Sequence, residues 1–155
     1  RQQEVFRRQL ALAEAADLPV IIHDREAHND LLRLLRTAGK NHRGVLHAYS
    51  GSKEMLQDFL ALGFYISVGG PVTFQNARKL PEVVQAIPAG RLLLETDAPY
   101  LTPHPFRGKR NEPAYLLHTA GRVAELRGVS REELAVLTTE NAFRLFARAA
   151  FPAKN

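Results

Sequence analysis

The sequence predicts an α/β fold in which four parallel strands alternate with helices. Two observations support this prediction: short apolar runs alternate with longer amphipathic segments, and the apolar runs lack the polar alternation of half-exposed strands. The spacing suits consecutive βα units of a doubly wound sheet or of a (β/α)8 barrel. A whole TIM-type barrel needs eight strands and about 250 residues, so 155 residues with four strands amount to a partial barrel.

The first half of the chain opens with a helix and then repeats the strand–helix unit. Phe6, Leu10 and Ala13 share one face at helical spacing, which predicts the first helix. Unbroken apolar runs predict the strands. The predicted elements are a helix over 1–17, a strand over 19–23, a helix ending at Gly39, a strand over 44–47 and a helix ending at Gly63.

The second half continues the alternation and ends in two helices. Strands are predicted over 64–68 and 91–95, separated by a helix with Pro81 near its first turn. A proline-rich loop leads to a helix over about 113–127. Ser130 and Glu133 have the spacing of a capping box, which predicts that the last helix starts there and runs to about Phe146.

Composition excludes some classes of protein and favours others. The absence of cysteine excludes disulfides and thiolate metal sites, and it fits a reducing, cytoplasmic compartment. The apolar runs are too short to span a bilayer, although the chain begins at Arg1 without methionine, so a preceding signal segment could have been lost. The net charge of +5 suits a polyanionic partner such as nucleic acid, and equally a solvated basic surface.

Two histidines and one aspartate lie at the ends of predicted strands. His23 ends the first strand, His47 ends the second, and Asp97 follows the fourth by two residues. The carboxyl ends of parallel strands meet at one edge of the sheet, so these side chains should converge. Imidazole and carboxylate are the ligands that Zn²⁺ and similar ions accept when no thiolate is present. The sequence therefore predicts a divalent metal site at this edge.

The remaining histidines fit this pattern less well. His28 and His118 fall within helical segments and His42 lies in a polar turn, so all three are predicted to face solvent. His104 lies between two prolines on the loop after Asp97. It could border the site or serve only to shape the loop.

Five segments resemble successive motifs of the TatD family, the metal-dependent DNases of the amidohydrolase-like barrel superfamily. They are Pro-Val-Ile-Ile-His-Asp-Arg (19–25), Leu-His-Ala-Tyr-Ser-Gly (46–51), Leu-Leu-Glu-Thr-Asp-Ala-Pro-Tyr-Leu (93–101), Arg-Asn-Glu-Pro (110–113) and Thr-Glu-Asn-Ala-Phe-Arg-Leu-Phe (139–146). The resemblance covers essentially the whole chain in order, and the Glu-Thr-Asp-Ala-Pro motif is highly specific. The second motif departs slightly, with Ala48-Tyr49 where family members often carry Cys-Phe.

The resemblance implies which part of a barrel is present. His23, His47 and Asp97 would be the ligands on strands five, six and eight, and the family fold holds two divalent ions, of Mg, Zn or Mn. The His-x-His pair of strand one and the bridging Glu of strand four have no counterpart in this sequence. We therefore expect residues 1–155 to form the C-terminal part of a single barrel domain, with the N-terminal half absent.

The resemblance also suggests roles for the site residues. Asp97 would be the catalytic base, taking a proton from the attacking water. Glu95 lies two residues earlier on the same strand. It would either orient a metal ligand through a hydrogen bond, without binding the metal itself, or form a salt bridge inside the barrel. Arg25, Arg107 and Arg110 are candidates for contacts with substrate phosphate, and a solvated basic loop is the alternative for the last two.

The expected activity is cleavage of DNA phosphodiester bonds by metal-activated water. The alternatives are hydrolysis of a small-molecule C–N or ester bond by a related enzyme, and a catalytically silent fragment. DNA is the expected partner, and no membrane association is expected. Because half a barrel has open edges, and inner-face residues such as Ile21 and Leu93 would lose their cover, the fragment should self-associate or pair with the missing half.

Overall fold

The computed structural model describes residues 1–39 and 42–148. Four strands and six α-helices alternate as the sequence predicts, and the boundaries differ from those predicted by a few residues. The strands are β1 (Val20–His23), β2 (Gly44–His47), β3 (Tyr65–Val68) and β4 (Leu92–Leu94). The helices are α1 (Gln2–Ala15), α2 (His28–Ala38), α3 (Lys53–Ala61), α4 (Lys79–Ala86), α5 (Leu116–Arg127) and α6 (Arg131–Leu145). No helix in the described ranges is long and apolar enough to cross a membrane.

The four strands form one parallel sheet in the order β1-β2-β3-β4. Ile22, Leu46, Ile66 and Leu92 lie side by side across it, and all are buried against the helices that cover this outer face. Apolar burial of this kind supplies most of the free energy that favours folding. The parallel α/β prediction is therefore confirmed, and β1 and β4 are the edges of the sheet within the described residues.

The opposite, inner face of the sheet is covered by the end of α6. Leu145 packs against Val45, Tyr65 and Leu93, and Leu93 is only 6% exposed. The prediction that Leu93 loses its cover is therefore wrong, because the last helix packs against residues of β2, β3 and β4. Ile21, on the edge strand β1, is 66% exposed, so the inner face lacks cover at that edge.

The start of α6 has the capping box that the sequence predicts. The Glu133 backbone N–H donates to Ser130 Oγ at 3.0 Å, and the Ser130 N–H donates to Glu133 Oε2 at 2.8 Å. Hydrogen bonding from the Ser130 backbone, and then from its side chain, to the Glu133 carboxylate lowers the pKa of Glu133, because it favours the charged form. The capping box thus fixes where the helix that covers the inner face begins.

The other end of α6 is tied to β4 through Asn141. Its fully buried amide donates to the carbonyl oxygens of Ala89 at 2.8 Å and Leu92 at 2.9 Å. We predict that Asn141→Ala lowers the free energy of unfolding by about 1 to 3 kcal/mol, since it removes the two hydrogen bonds that this buried amide donates, each of which contributes about 0.5 to 1.5 kcal/mol. Urea denaturation measures this loss. The neighbouring exposed Glu140→Gln should stay within about 0.5 kcal/mol of the parent chain, and equal stability of the two variants would contradict the anchoring role.

Candidate metal centre

The two strand-end histidines lie beside each other on the inner face of the sheet. His23 ends β1, His47 ends β2, and the two residues are paired in the parallel register. Their ring centroids are 5.5 Å apart. The prediction that the strand ends bring these imidazoles together at one edge of the sheet agrees with this geometry. The His23 side chain is exposed, whereas that of His47 is half-buried.

His47 is held between two carboxylates. Its Nδ1 lies 2.7 Å from Glu95 Oε2, and its Nε2 lies 3.2 Å from Asp97 Oδ1. A neutral imidazole has one N–H donor and one acceptor nitrogen. Donation from Nδ1 to Glu95 therefore leaves the Nε2 lone pair facing a carboxylate oxygen, and two such electron-rich atoms suit a cation bound between them.

The same three residues have the donor atoms of a metal site. The ligand atoms of His47, Glu95 and Asp97 lie within 4.8 Å of one another. Two ligands at about 2.0–2.1 Å from a tetrahedral Zn²⁺ are roughly 3.3 Å apart, close to the observed Nε2–Oδ1 separation. His23 lies outside this group of three.

Two carboxylate oxygens at the centre are buried without a partner. Glu95 Oε1 and Asp97 Oδ2 accept no hydrogen bond from the described residues. Burial of a carboxylate oxygen is costly unless a donor or a cation satisfies it. The orphaned oxygens and the mixed imidazole–carboxylate donor set therefore fit a divalent cation.

Glu95 is fixed from β3 as well as by His47. Ser67 Oγ donates to Glu95 Oε2 at 2.5 Å, and Gly69 lies so close that a Cβ there would be 3.3 Å from Glu95 Oε1. Glu95 was expected either to orient a metal ligand or to form a salt bridge inside the barrel. Its contact with His47 Nδ1 favours the first role, orientation of the His47 ligand. The sequence did not single out Ser67, although it lies on β3 at the same edge.

We predict that Glu95→Gln lowers divalent metal affinity by about 10- to 100-fold, the cost typical of losing a partner behind a metal ligand. The neutral amide no longer holds the proton on Nδ1, so His47 presents Nε2 less well. Calorimetric titration with Zn²⁺ measures the change. The exposed Glu125→Gln is the matched control, and unchanged affinity in Glu95→Gln would show that this carboxylate does not orient His47.

The loop after β4 holds Asp97 in place through its own backbone. The Tyr100 N–H donates to the Asp97 carbonyl at 2.6 Å, and the buried Asn111 amide donates to the Tyr100 carbonyl at 2.6 Å. The Asn111 N–H in turn donates to the Pro99 carbonyl at 3.0 Å. Asn111 therefore shapes the loop that carries Asp97.

A cavity of about 700 Å³ opens beside the candidate metal centre. Its lining comes from the loops that follow all four strands and includes both His23 and Asp97. Three cations line it, Arg25, Arg78 and Lys79, and none forms an ion pair with a described residue. The sequence reasoning missed Arg78 and Lys79, although their place after β3 was a usable signal.

The three predicted phosphate contacts lie in different places. Arg25 lines the main cavity. The guanidinium of Arg107 lies 3.8 Å from the centre of the Phe74 ring, and Arg107 does not line that cavity. Arg110 borders a separate cavity of about 420 Å³ beside Asn111. The structure therefore brings Arg25 to the candidate centre and does not bring the other two there.

The prediction that three other histidines face solvent is wrong, because each packs against its own surroundings. His28 Nδ1 lies 2.5 Å from Asp24 Oδ2 and is half-buried. His118 packs edge-on against Phe106, and the ring of His42 contacts a helix carbonyl at 3.2 Å. These residues have structural contacts and lie outside the lining of the main cavity.

Tyr49, in the second of the five motifs that resemble a known family, lines the cavity. Its ring packs edge-on against Phe59, and its hydroxyl donates to the Ser52 carbonyl at 2.8 Å. Burial raises the pKa of Tyr49 well above its ordinary value, and the nearby charge of Asp24 raises it further. Tyr49 therefore stays protonated and acts as a wall of the cavity.

Comparison with known proteins gives one consistent result. A family model described as TatD related DNase matches residues 1–147. The uncharacterized metal-dependent hydrolase YabD of Bacillus subtilis is 53% identical over 146 residues, covering 94% of this chain and 57% of YabD. The 3'-5' ssDNA/RNA exonuclease TatD of Erwinia tasmaniensis is 42% identical over 152 residues, covering 94% of this chain and 59% of that protein.

A solved structure gives the same picture. The crystal structure of YjjV, a TatD homolog from Escherichia coli, superimposes with a TM-score of 0.88 at 36% identity. The match covers 95% of this chain and 57% of YjjV. The chain thus spans a little over half the length of the relatives that it matches.

Proposed function

The chain belongs to the TatD related DNase family, and from that premise we propose that it provides the metal centre of a hydrolase that cleaves DNA phosphodiester bonds. One observation carries the proposal: the cavity beside the candidate metal centre is lined by cations without ion-pair partners among the described residues. A phosphodiester backbone supplies the negative charge that such cations attract.

Each residue of the candidate metal centre has its own role in this proposal. His23 and His47 offer imidazole nitrogens and Asp97 a carboxylate to Mg²⁺, Zn²⁺ or Mn²⁺, with two ions in the family fold. When bound, a divalent ion lowers the pKa of a coordinated water and polarises a phosphoryl oxygen. Glu95 keeps the His47 proton on Nδ1, so that Nε2 remains the ligand. Asp97 Oδ2, buried without a partner, accepts the proton of the attacking water.

The cations of the cavity would position the substrate. Arg25 follows His23 at the end of β1, and Arg78 and Lys79 lie at the start of α4 across the cavity. Guanidinium and ammonium groups suit phosphate oxygens, and Arg25 is the candidate for a bidentate contact.

We further propose that residues 1–155 belong to a single domain whose strands continue into a larger (β/α)8 barrel. The exposed Ile21 and the edge of β1, to which no strand of the described residues pairs, support this proposal, since an edge strand with an apolar inner face can pair with another strand. That strand would come from the rest of a barrel or from a second copy of this chain. Light scattering that shows only monomers in the absence of other polypeptide would exclude the second source.

The activity is tested by offering one protein several substrates. The active protein containing this chain, supplied with Mg²⁺ or Mn²⁺, is incubated with a single-stranded oligonucleotide and with small amide and ester substrates. We expect metal-dependent shortening of the oligonucleotide, abolished by EDTA. Hydrolysis of the amide or ester with intact DNA would favour the related small-molecule hydrolase, and metal binding without turnover of any substrate would identify a silent protein.

A further inference from the structure

We infer that Phe74 is a stacking platform for an unpaired nucleobase in the main cavity and that Arg107 positions its ring. This inference rests on the proposed function and deepens it. Phe74 lines the cavity, whereas Arg107 does not. An aromatic ring has two faces, and the guanidinium occupies one of them at 3.8 Å from the ring centre. Because Phe74 also lines the cavity, its ring offers aromatic surface to a ligand bound there.

The backbone that carries Phe74 is fixed on both sides. Its N–H donates to the Pro71 carbonyl at 3.1 Å, and its carbonyl accepts from the Ala77 N–H at 3.0 Å. The preceding Thr73 ties this segment to the loop after β4, because Thr73 Oγ1 accepts the His104 N–H at 2.8 Å. The ring therefore has a defined position before any ligand arrives, which is what a stacking platform requires.

Arg107 is placed on that same loop. Turns hold its neighbours, with the Phe106 N–H donating to Pro103 at 2.9 Å and the Lys109 N–H donating to Phe106 at 3.1 Å. From there the Arg107 guanidinium packs on the ring of Phe74. Arg107 is thus a positioning residue that acts through Phe74, in contrast to the phosphate contact expected from the sequence.

The chemistry of the cavity matches a nucleotide in two ways. Arg25, Arg78 and Lys79 offer positive charge for a phosphate, and Phe74 with Leu80 offers apolar surface for a base. Base–aromatic stacking tolerates any sequence because every base has a π-face. Inside a duplex both faces of a base are already stacked, so the platform requires an unpaired or flipped base.

The test uses a single-stranded 12-mer with 2-aminopurine at the first, second or third position from its 3′ end, in three separate strands. Binding is followed by fluorescence anisotropy and stacking by quenching of 2-aminopurine. The background variant is Asp97→Asn, which keeps the strand intact. We expect quenching at one position, its loss in Phe74→Leu and its retention in Phe74→Tyr. Affinity should fall about 5- to 150-fold in Phe74→Leu, the range that one base–aromatic stack supports.

An abasic strand separates stacking from a structural role. With an abasic unit at the quenched position, Phe74→Leu and the parent protein should bind with equal affinity. The inference would be overturned if Phe74→Leu lost the same affinity for the base-bearing strand as for the abasic strand, or if quenching persisted in Phe74→Leu. Either result would leave the proposed function in place. Failure of the parent protein to bind any strand would overturn both.

The salt dependence of binding tests the role of Arg107. Arg107→Gln should weaken the quenching and leave the salt slope of the binding constant unchanged, because no phosphate contact is lost. Lys79→Gln is the matched control, which should lower the slope by about one counterion and retain the quenching. A slope reduced in Arg107→Gln with quenching intact would show that Arg107 contacts phosphate, and would contradict its positioning role.

Discussion

Asp97→Asn should lower kcat by about 10²- to 10⁴-fold, the range that a positioned general base contributes, and change the dissociation constant for DNA little. The amide keeps the size of the carboxylate but neither accepts the proton of the attacking water nor offers a negative charge to metal. DNA affinity should persist because the cations that line the cavity, such as Arg25, are untouched.

The matched control for this variant is Asp58→Asn. Asp58 is an exposed carboxylate of α3 that forms an ion pair with Arg36 and lies outside the cavity. Single-turnover cleavage of an oligonucleotide separates kcat from binding in both variants. A rate for Asp97→Asn within a few-fold of the control would remove Asp97 from the role of base.

His47→Gln should reduce divalent metal affinity by more than the roughly 100-fold that loss of an outer partner costs. The imidazole lies between two carboxylates. Its Nδ1 is within hydrogen-bond distance of Glu95, and its Nε2 faces Asp97. Glutamine has the length to fill part of the space, but it offers a weakly basic amide in place of a nitrogen ligand. The carboxylates of Glu95 and Asp97 then lose the imidazole ring that lies between them.

Calorimetric titration with Zn²⁺ measures this effect, with His118→Gln as the matched control. His118, a residue of α5, packs against the rings of Phe106 and Tyr115 and lies outside the main cavity. Chain folding in both variants is checked by circular dichroism. Metal affinity that falls equally in both variants would point to a general effect of histidine loss and would contradict a centre built on His47.

The fold was predictable from the sequence to the extent that local patterns determine it. The unbroken apolar run over residues 20–22 predicts a strand, and the parallel arrangement then brings His23 and His47 to one edge of the sheet. The capping box at Ser130 was predictable for the same reason, since its two hydrogen bonds join residues three apart.

Long-range packing was not predictable in the same way. The cover that Leu145 gives to Leu93 joins residues far apart in sequence, and no periodicity in α6 shows which face of the sheet it meets. The placement of Arg107 over Phe74 likewise depends on how two loops meet. Sequence reasoning could assign a guanidinium to the mouth of the site, but not the ring that it covers.

We propose that His47 and Asp97, with His23 beside them, hold a divalent metal at the carboxyl edge of the sheet. Pulsed electron paramagnetic resonance of Mn²⁺ bound to this chain tests this assignment, because the spectrum reports the nuclei that coordinate the ion. We predict coupling to imidazole nitrogen that weakens in His47→Gln, where His23 is the one remaining imidazole at the centre, and that is unchanged in His118→Gln. A spectrum of bound Mn²⁺ without nitrogen coupling, or with coupling unchanged in His47→Gln, would contradict the claim.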